Sequence, residues 1–296
     1  MSQNLNIFIV IVQYNQASDT LACLKSLESD LSEGTKIIVV DNDSNEPDRK
    51  AVADYSLRNG NIKFIETGKN LGYTGGNNAG IKYALENGAD YIFILNNDTI
   101  IKPGTVRELV NYAKNHPKIG IVSPGVDELG AVFYGGKIYW FKPELEHNYN
   151  KNGGPLKSKN TYLSGVALMV KKEVFNKIGM FDDRFFLYFE DVDFSVRARK
   201  EGYDLAVDSS VSIMHNISRS AGKLGSPKIL RYHYRNSHLF NSKHAPIYIR
   251  WLLPFWSLSI IIRQAVKIIL SKNTAASRAI LQGVFDYYRG KFGIIS

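Results

Sequence analysis

The sequence has little cysteine and none of the features that direct a chain out of the cell. Cys23 is the single cysteine among 296 residues, so no disulfide can form within the chain, and no Cys/His cluster has the spacing of a structural zinc site. The N-terminal residues lack Lys and Arg, and the first apolar run, residues 7–12, is too short for the core of a signal peptide. These absences predict a cytoplasmic protein.

Acidic residues are almost absent from the last part of the chain, which makes its charge asymmetric. Residues 1–215 carry 24 Lys and Arg against 27 Asp and Glu, a net of −3, whereas residues 216–296 carry 13 Lys and Arg against Asp286 alone, a net of +12. Such a basic segment predicts contact with a polyanion, and nucleic acid and an anionic lipid surface are the commonest ones.

Long hydrophobic runs are also missing. The uncharged stretch in the basic segment, residues 251–262, has only 12 residues, where a membrane-spanning helix needs about 20. Arg263 and Lys267 share one helical face, and Trp251 and Trp256 suit the headgroup region. We therefore expect an amphipathic helix that lies on the membrane without crossing it. Packing of this helix against the rest of the chain, or against a second subunit in a homo-oligomer, is the alternative.

The first half of the sequence alternates β-rich runs with helical patterns. Strands are predicted at residues 7–12, 36–40, 62–66, 91–95 and 119–123. The intervening helices include one capped by Ser18 or Asp19 and one over residues 77–87. This alternation predicts an α/β fold in which helices cover both faces of a parallel sheet, and ligands of such sheets bind beyond the carboxyl ends of the strands.

The second half has a different pattern. Hairpin signals begin near Leu129, and residues 141–160 are predicted to form a polar loop. A helix is predicted next, with Asp191 and Asp193 at its N-terminus. Two short strands are then predicted, at residues 205–207 and 211–214.

Two polar motifs follow strands of the predicted sheet. Asp41 comes directly after a buried strand, where a carboxylate can accept hydrogen bonds from a ribose or base, or can merely close an Asx turn. Residues 70–80 are rich in Gly and Asn and lead into a helix whose N-terminus favours phosphate. A structural turn is the alternative for this loop.

Carboxylates and one histidine supply the other candidates. Asp98 follows a strand and can hold a divalent cation that bridges two phosphates, although alone it is an ordinary turn residue. Glu190, Asp191 and Asp193 raise one another's pKa, so one of them can act as a general base; capping of a helix would need fewer acids. His215 closes a strand, and a neutral imidazole often joins a carboxylate on a divalent ion.

In this order, the motifs resemble those of glycosyltransferase family 2, and within it the bacterial rhamnosyltransferase-like group. The matching elements are I-V-I-V-Q-Y-N, V-V-D-N-D-S, N-L-G-Y-T-G-G-N-N-A-G, L-N-N-D and the run from S-G-V-A-L-M-V to F-E-D-V-D-F, with His215 downstream. The resemblance spans roughly residues 7–240. It implies a GT-A fold, in which a Rossmann-like nucleotide half joins an acceptor half.

The resemblance also implies roles for individual residues. Those on the donor side are Tyr14, Asn15, Asp41, Asn70, Gly75, Asn78, Asn97 and Asp98. Asp98 matches the metal-binding end of the family's D-x-D element, and Asn96 stands where many members have the first Asp. A Mn²⁺ or Mg²⁺ ion would therefore depend on Asp98 and His215.

Glu190 and Asp191, referred to below as the E-D pair, carry the implied chemistry. Asp191 resembles the catalytic base, supported by Glu190, and Glu190 and Asp193 resemble acceptor-binding or orienting residues. The implied reaction is a single inverting displacement that transfers a sugar from a nucleotide diphosphate donor.

The substrates are left more open than the reaction. The subgroup resemblance favours dTDP-L-rhamnose as donor and a glycan or lipid-linked glycan of the bacterial surface (O-antigen or capsule) as acceptor, and UDP-Gal, UDP-Glc or UDP-GlcNAc is the alternative. A sugar nucleotidyltransferase would usually show G-x-G-T-R after the first strand, where this chain has Gln13-Tyr14-Asn15. A nucleic-acid-binding protein that uses the basic segment is the non-enzymatic alternative, and we expect no nucleic acid partner.

The predicted organisation has two parts. Residues 1–240 form the GT-A domain, with the nucleotide half near residues 1–125 and the acceptor half near 126–240. Residues 241–296 form a basic, amphipathic helical extension. We expect this extension to hold the protein peripherally on the anionic inner face of the cell membrane.

Overall fold

The computed structural model describes residues 5–32, 34–142, 145–151, 153–216 and 226–295. The first four residues, which contribute to the argument against a signal peptide, lie outside these ranges. In the described ranges the chain forms nine α-helices: α1 (Ala17–Leu27), α2 (Glu46–Leu57), α3 (Gly72–Glu86), α4 (Thr105–Asn115), α5 (Lys172–Ile178), α6 (Glu190–Lys200), α7 (Pro227–His244), α8 (Ile247–Ile269) and α9 (Thr274–Tyr288).

The same residues form thirteen strands. They are β1 (Ile7–Gln13), β2 (Thr35–Asp41), β3 (Ile62–Glu66), β4 (Tyr91–Asn96), β5 (Thr99–Ile100), β6 (Ile119–Glu128), β7 (Ala131–Phe133), β8 (Gly136–Lys137), β9 (Glu146–His147), β10 (Gly154–Pro155), β11 (Thr161–Tyr162), β12 (Ala167–Lys171) and β13 (Asp204–His215). Strands β8, β9 and β11 make a small separate sheet.

The main sheet has the order β10-β13-β6-β12-β4-β1-β2-β3, with β5 on β13 and β7 on β6. Strands β3, β2, β1 and β4 are parallel, as predicted. Strand β12 then inserts antiparallel between β4 and β6, and β13 runs parallel to β6. The five predicted strands therefore all point the same way, but the fifth, β6, is separated from β4 by a strand from the second half of the chain.

Both faces of β1 are covered, which explains why it is apolar on both. Ile9 and Ile11 pack in the core on the side of α1 and α4, while Phe8 and Val10 pack in the core on the opposite side, with α3. Each such side chain contributes about 1.5–3 kcal/mol when it is removed from water. The doubly covered, mostly parallel sheet confirms the predicted fold class.

Helix α3 begins five residues earlier than predicted, at Gly72 instead of residue 77. Glycines lower helix propensity, which is why the sequence indicated a loop. Packing overrides this propensity, because α3 lies so close to β1 that a Cβ atom on Gly76 would lie 2.8 Å from Cγ1 of Val12. Gly72 itself adopts a φ of 73°, which favours glycine.

The cap of α1 does not come from Ser18 or Asp19. The helix begins at Ala17, and the N-cap residue Gln16 has a φ of 54° with no side-chain cap. The Asp48 carboxylate of α2 accepts hydrogen bonds from the N–H groups of Gln16 and Ala17 instead, at 3.1 and 3.0 Å. The orphan donors of the helix are thus satisfied by a residue that sequence spacing cannot connect to it.

Two further elements differ from the predictions. The two short strands at residues 205–207 and 211–214 are parts of one strand, β13, with a register irregularity between Asp208 and Ser212. The polar loop at residues 141–160 contains, in its described part, strands β9 and β10, and β10 pairs with the edge of β13. Strand β9 pairs with the nearby β8, whereas the partner of β10 is distant in sequence, so local patterns did not indicate β10.

The C-terminal helices pack on the domain as one group. Helix α7 runs through the predicted boundary at residue 240 and ends at His244. Helix α9 packs closely on α7, because Gly283 lies against the backbone of Arg231, and Arg231 Nε donates to Asp286 Oδ2 at 2.7 Å.

Helix α8 has one face on the protein and one face exposed. Ile249, Leu253, Ser257, Ile260 and Gln264 are buried. The opposite face is apolar and exposed, including Ile247, Trp251, Phe255, Leu258, Ile262 and Val266. By length and composition alone, this helix is long and apolar enough to cross a membrane, and 22% of its most apolar stretch is buried.

Candidate functional site

Three of the predicted donor residues, Tyr14, Asn15 and Asp41, lie at the carboxyl ends of β1 and β2. Asp41 is buried; its Oδ1 accepts from Gln13 Nε2 at 3.3 Å and its Oδ2 from the N–H of Ser44 at 3.1 Å. The second bond closes a turn, so the Asx-turn interpretation is correct for part of this side chain. Asn15 has a φ of 59° and donates its N–H to Ser44 Oγ at 2.8 Å, and Tyr14 beside it is exposed.

The Gly/Asn loop is held against this turn by Asn42, which our sequence analysis did not single out. Asn42 Nδ2 donates to the carbonyl of Gly72 at 3.0 Å and to Asn70 Oδ1 at 3.2 Å. Asn70 Oδ1 in turn accepts from the N–H of Gly72 at 2.8 Å. Gly75 lies on the first turn of α3, where a Cβ atom would lie 2.6 Å from that of Leu71.

Asn78 connects α3 to the second half of the chain. Its Nδ2 donates to the carbonyl of Phe181 and to Asp183 Oδ1, at 2.9 and 2.8 Å, and its Oδ1 accepts from the N–H of Phe181 at 3.0 Å. Through these contacts Asn78 fixes the position of the segment that leads to the E-D pair. A contact between Asn78 and the donor stays a prediction.

Asp98 and His215 meet although they lie 117 residues apart in the sequence. His215 Nε2 lies 3.1 Å from Asp98 Oδ1, and His215 Nδ1 lies 2.8 Å from Oε1 of Glu128 on β6. Burial lowers the pKa of His215, but the hydrogen bonds and charges of Asp98 and Glu128 outweigh this effect and raise it to about 9. Glu128 fixes the ring orientation, as residues behind metal-binding histidines do.

The chemistry of this pair fits a divalent cation. A carboxylate oxygen and a neutral imidazole nitrogen are ligands that such ions accept, and a cation would take the place of the proton between His215 Nε2 and Asp98 Oδ1. Asn96, two residues before Asp98, has a buried Oδ1 that lacks a hydrogen-bond partner within the described residues. Asn97 instead donates to Thr20 Oγ1 at 3.0 Å.

The part of the chain that the structure describes contains no group of three or more His, Cys, Asp and Glu residues arranged as a cation site. The protein would thus supply two such ligands, and the remaining positions would be left for the donor diphosphate and water.

The Asp191 carboxylate is buried at the start of α6, which begins at Glu190 with Phe189 as its N-cap residue. Oδ2 of Asp191 accepts from the N–H of Gly165 at 2.9 Å, and Oδ1 accepts from the N–H of Val192 at 2.8 Å. Burial raises the pKa of Asp191 to about 6, and these backbone hydrogen bonds limit the rise. A carboxylate with this pKa can take a proton near neutral pH.

Glu190 is the second buried acid of the pair. Burial, together with the negative charge of Asp191, raises its pKa well above the usual range. Its Oε2 lacks a hydrogen-bond partner within the described residues. The two acids titrate as a coupled pair, in which the ionisation of Asp191 disfavours that of Glu190.

Tyr73 and Gly165 connect the Gly/Asn loop of residues 70–80 to Asp191, the candidate base. The Tyr73 hydroxyl on α3 donates to the Gly165 carbonyl at 2.5 Å, while the N–H of Gly165 donates to Asp191. Burial raises the pKa of Tyr73 well above its usual value, and the charges of Glu190, Asp191 and Asp98 raise it further. The Tyr73 hydroxyl therefore lies near the two acids Glu190 and Asp191 and also near Asp98, the candidate cation ligand.

Asp193 faces three basic side chains. Its Oδ2 accepts from Arg197 Nε at 2.7 Å, and its Oδ1 lies 2.5 Å from Lys243 Nζ and 2.7 Å from His244 Nε2. Burial raises its pKa, but these partners outweigh burial and lower it. The contacts tie α6 to the end of α7, and acceptor contact through Asp193 stays a prediction.

Sequence reasoning missed four residues of this site: Asn42, Tyr73, Glu128 and Gly165. Asn42, Tyr73 and Gly165 lie inside motifs that were quoted, and Asn42 is next to Asp41, which was chosen. Polar side chains at strand ends were the available signal for Asn42 and Glu128. For Gly165 no such signal exists, because its role depends on two backbone hydrogen bonds.

Comparison with known proteins identifies the family of this chain. The sequence profile of glycosyl transferase family 2 matches residues 8–179. The low-salt glycan biosynthesis hexosyltransferase Agl10 of Haloferax volcanii is 31% identical over 220 residues, which are 70% of this chain and 66% of that protein. The dTDP-rhamnosyl transferase RfbF of Shigella flexneri is 30% identical over 82% of this chain and 83% of its own length. The N-acetylglucosaminyl-diphospho-decaprenol L-rhamnosyltransferase of Mycobacterium tuberculosis is 24% identical over 78% and 82%.

Solved structures confirm the GT-A fold. GalNAc-T7 with UDP, GalNAc and Mn²⁺ superposes with a TM-score of 0.63 at 17% identity, over 79% of this chain and 48% of that chain. The mannosyltransferase PcManGT from Pyrobaculum calidifontis, in complex with GDP-Man and Mn²⁺, gives 0.61 at 12% identity over 98% and 89%. The profile match covers more than half of the sequence, and the two relatives at 30% identity or more cover at least 70% of it. The chain therefore belongs to glycosyl transferase family 2.

Proposed function

We propose that the protein is an inverting, metal-dependent glycosyltransferase that transfers L-rhamnose from dTDP-L-rhamnose to a glycan or lipid-linked glycan in cell-surface polysaccharide synthesis. The observation that carries the proposal is the position of Gly165. This residue touches the donor loop through Tyr73 and the base through Asp191, so a donor sugar and an acceptor hydroxyl would meet beside it.

Asp191 is the base in this proposal. It takes the proton from an acceptor hydroxyl while that oxygen forms a bond to the anomeric carbon of the sugar. The bond from this carbon to the diphosphate breaks on the opposite side, and the nucleoside diphosphate leaves with the bonding electrons. Such base catalysis typically contributes about 10²- to 10⁴-fold.

Asp98 and His215 are the residues that would hold a divalent cation. When bound, the cation supplies positive charge that stabilises the leaving diphosphate. The two structural neighbours with Mn²⁺ support this part of the proposal. The polar turn of Asp41, with Tyr14 and Asn15 beside it, would hold the nucleoside.

The donor is proposed from the relatives. Two of the three are named for rhamnosyl transfer, one of them from a dTDP donor. The third is named only as a hexosyltransferase, so a UDP-hexose is the alternative donor. The decaprenol-linked acceptor in the name of the mycobacterial relative supports a lipid-linked acceptor here.

In this proposal the protein lies at the cytoplasmic face of the membrane, and helix α8 supports the attachment to a membrane surface. Ser257 on α8 is hydrogen-bonded to His238 of α7 at 3.0 Å and to Tyr288 of α9 at 2.8 Å. Helices α7 and α9 carry charged side chains, such as Arg231 and Asp286, that would resist entry into hydrocarbon. A helix attached to them would lie along the membrane, with its exposed apolar face in the headgroup region.

Ligand-dependent thermal stability, followed by a transfer assay, tests the proposal. dTDP-L-rhamnose with Mn²⁺ should raise the melting temperature more than UDP-Glc, UDP-Gal, UDP-GlcNAc or GDP-Man, because a ligand that binds only the folded state stabilises it. EDTA should cancel the rise. Preference for a UDP-hexose would overturn the donor assignment, and no response to any nucleotide sugar would overturn the function.

A further inference from the structure

The segment that precedes Glu190 has an unusual backbone. Phe186, Tyr188 and Phe189 have φ angles of 64°, 70° and 73°, in the left-handed region that non-glycine residues rarely adopt. Three such residues within four positions persist only when their surroundings hold them there. The base Asp191 follows directly, so whatever holds this segment also sets the position of the base.

Part of that support comes from the side-chain amide of Asn236. Asn236 on α7 is fully buried, and its Nδ2, which carries two hydrogens, lies within hydrogen-bonding distance of three carbonyl oxygens, those of Phe185, Leu187 and Tyr188, at 2.9, 2.8 and 2.9 Å. Asn236 Oδ1 accepts from Arg235 Nε at 3.0 Å. These backbone carbonyls belong to no helix or strand. Without Asn236, the carbonyls of Leu187 and Tyr188 would lose this donor, whereas the carbonyl of Phe185 also accepts from Arg235 and from the N–H of Leu187.

Arg235 extends this support to the end of the described chain. It is buried, and its guanidinium donates to the carbonyls of Phe185 and Gly293, at 3.1 and 2.7 Å. The N–H of Gly293 donates to the carbonyl of Arg184 at 3.2 Å. The ring of Tyr232, one helical turn before Asn236, stacks on Phe186 with centroids 5.6 Å apart.

The same segment touches the donor loop. The carbonyl of Phe186 accepts from the N–H of Thr74 at 3.3 Å, and Phe186 lies so close to Gly72 that a Cβ atom there would overlap it. Residues 185–189 thus lie between the Gly/Asn loop on one side and α7 on the other.

We infer that Asn236 is a positioning residue for the transfer reaction: it acts through the backbone of residues 185–189 to place the Asp191 carboxylate against the acceptor hydroxyl. The inference rests on the proposed function. It gives Asn236 of α7 a role in positioning the base, in addition to any contact that α8 makes with a membrane.

The test compares Asn236→Ala with Asn241→Ala in the full chain. Asn241 is also a buried asparagine of α7, but its Nδ2 donates to the carbonyl of Trp140 and not to the carbonyls of residues 185–189. We expect Asn236→Ala to lower kcat about 10²-fold, because a displacement of about 1 Å can have that effect. Affinity for dTDP-L-rhamnose with Mn²⁺, measured by calorimetry, should change by no more than about threefold. The acid limb of the pH–rate profile should also move, since the environment of Asp191 changes.

A purely structural role would not give this division between rate and affinity. Circular dichroism and melting temperature establish folding, and if Asn236→Ala does not fold, Asn236→Ser, which keeps one donor, is measured instead. Equal kcat in the Asn236 and Asn241 variants would overturn the inference, as would a loss of donor affinity as large as the loss of kcat. A wild-type protein that transfers no sugar from any nucleotide donor would overturn the proposed function, and the inference with it.

Discussion

The imidazole of His215 lies beside the carboxylate of Asp98, with Nε2 3.1 Å from Oδ1. This contact forms where β13 pairs with the short strand β5, because His215 is opposite Thr99, the residue after Asp98. Sheet pairing therefore creates the candidate cation site.

The first prediction concerns this pair. His215→Ala should weaken Mn²⁺ binding, measured by calorimetry with a nucleoside diphosphate present, more than Glu128→Gln does. For Glu128→Gln we expect a loss of about 10- to 100-fold, which is typical when the residue behind a ligand is changed. His116→Ala is the control, because His116 is exposed and contacts the carbonyl of Tyr112. Unchanged Mn²⁺ affinity in His215→Ala would show that His215 and Asp98 form an ion pair and that His215 does not bind the cation.

The second prediction is that Asp191→Asn abolishes transfer but leaves donor affinity nearly intact. The substitution keeps size and removes the proton acceptor, so kcat should fall by at least about 10²-fold. Asp54→Asn, on the exposed surface of α2, is the matched control. If the donor dissociation constant increases as much as kcat decreases, Asp191 belongs to the donor site instead.

The third prediction is a pH dependence that follows from the buried acids. Burial raises the pKa of Asp191 to about 6, and the base works only when it is ionised. The rate should therefore be low below pH 6, increase as the pH passes through about 6, and then level off. The apparent value belongs to the coupled pair Glu190 and Asp191. A rate that is independent of pH between 5 and 8 would contradict it.

The fourth prediction concerns the link between the donor loop and the base. Tyr73→Phe leaves the buried carbonyl of Gly165 without its donor, which should destabilise the fold by about 1–3 kcal/mol. Misplacement of Gly165 should also lower kcat about 10-fold. Tyr83→Phe, on the same helix, is the control. Thermal unfolding measures the change in stability, and steady-state kinetics measure the change in kcat. Wild-type rates in Tyr73→Phe would remove Gly165 from the mechanism.

Part of this molecule could be predicted from the sequence because it depends on local patterns. The apolar runs of β1, β2 and β4 indicated the parallel sheet, and polar residues at their ends indicated the edge where Asp41 and Asp98 lie. The neighbours that orient these residues could not be predicted in the same way. Glu128 and Asn236 act on residues that are distant in sequence, and no periodicity connects them.

The same limit explains why α3 and the cap of α1 were predicted incorrectly. Propensity favoured a loop over residues 72–76, but close packing on β1 makes those glycines helical. Asp48 replaces a local cap from the neighbouring helix. In both cases a tertiary contact decides the local structure.

The last prediction concerns the exposed face of α8. A truncation after residue 245 would not isolate this face, because it also removes α9 and Gly293, which contact Arg231, Arg184 and Arg235. Trp251 and Phe255 are 75% and 70% exposed, so the double substitution Trp251→Glu with Phe255→Glu changes the surface and leaves the packed side in place.

Each of these aromatic side chains would contribute about 1.5–3 kcal/mol if it entered the headgroup region. The double variant should therefore lose at least about 10²-fold in affinity for phosphatidylglycerol vesicles in co-sedimentation. Turnover of a soluble acceptor analogue should be unaffected. Leu57→Glu, an equally exposed apolar position on α2, should bind vesicles as the wild type does. If vesicle binding does not change but a dimer dissociates in the double variant, the exposed face of α8 joins two copies of the chain, and the basic charge of the C-terminal helices has another partner.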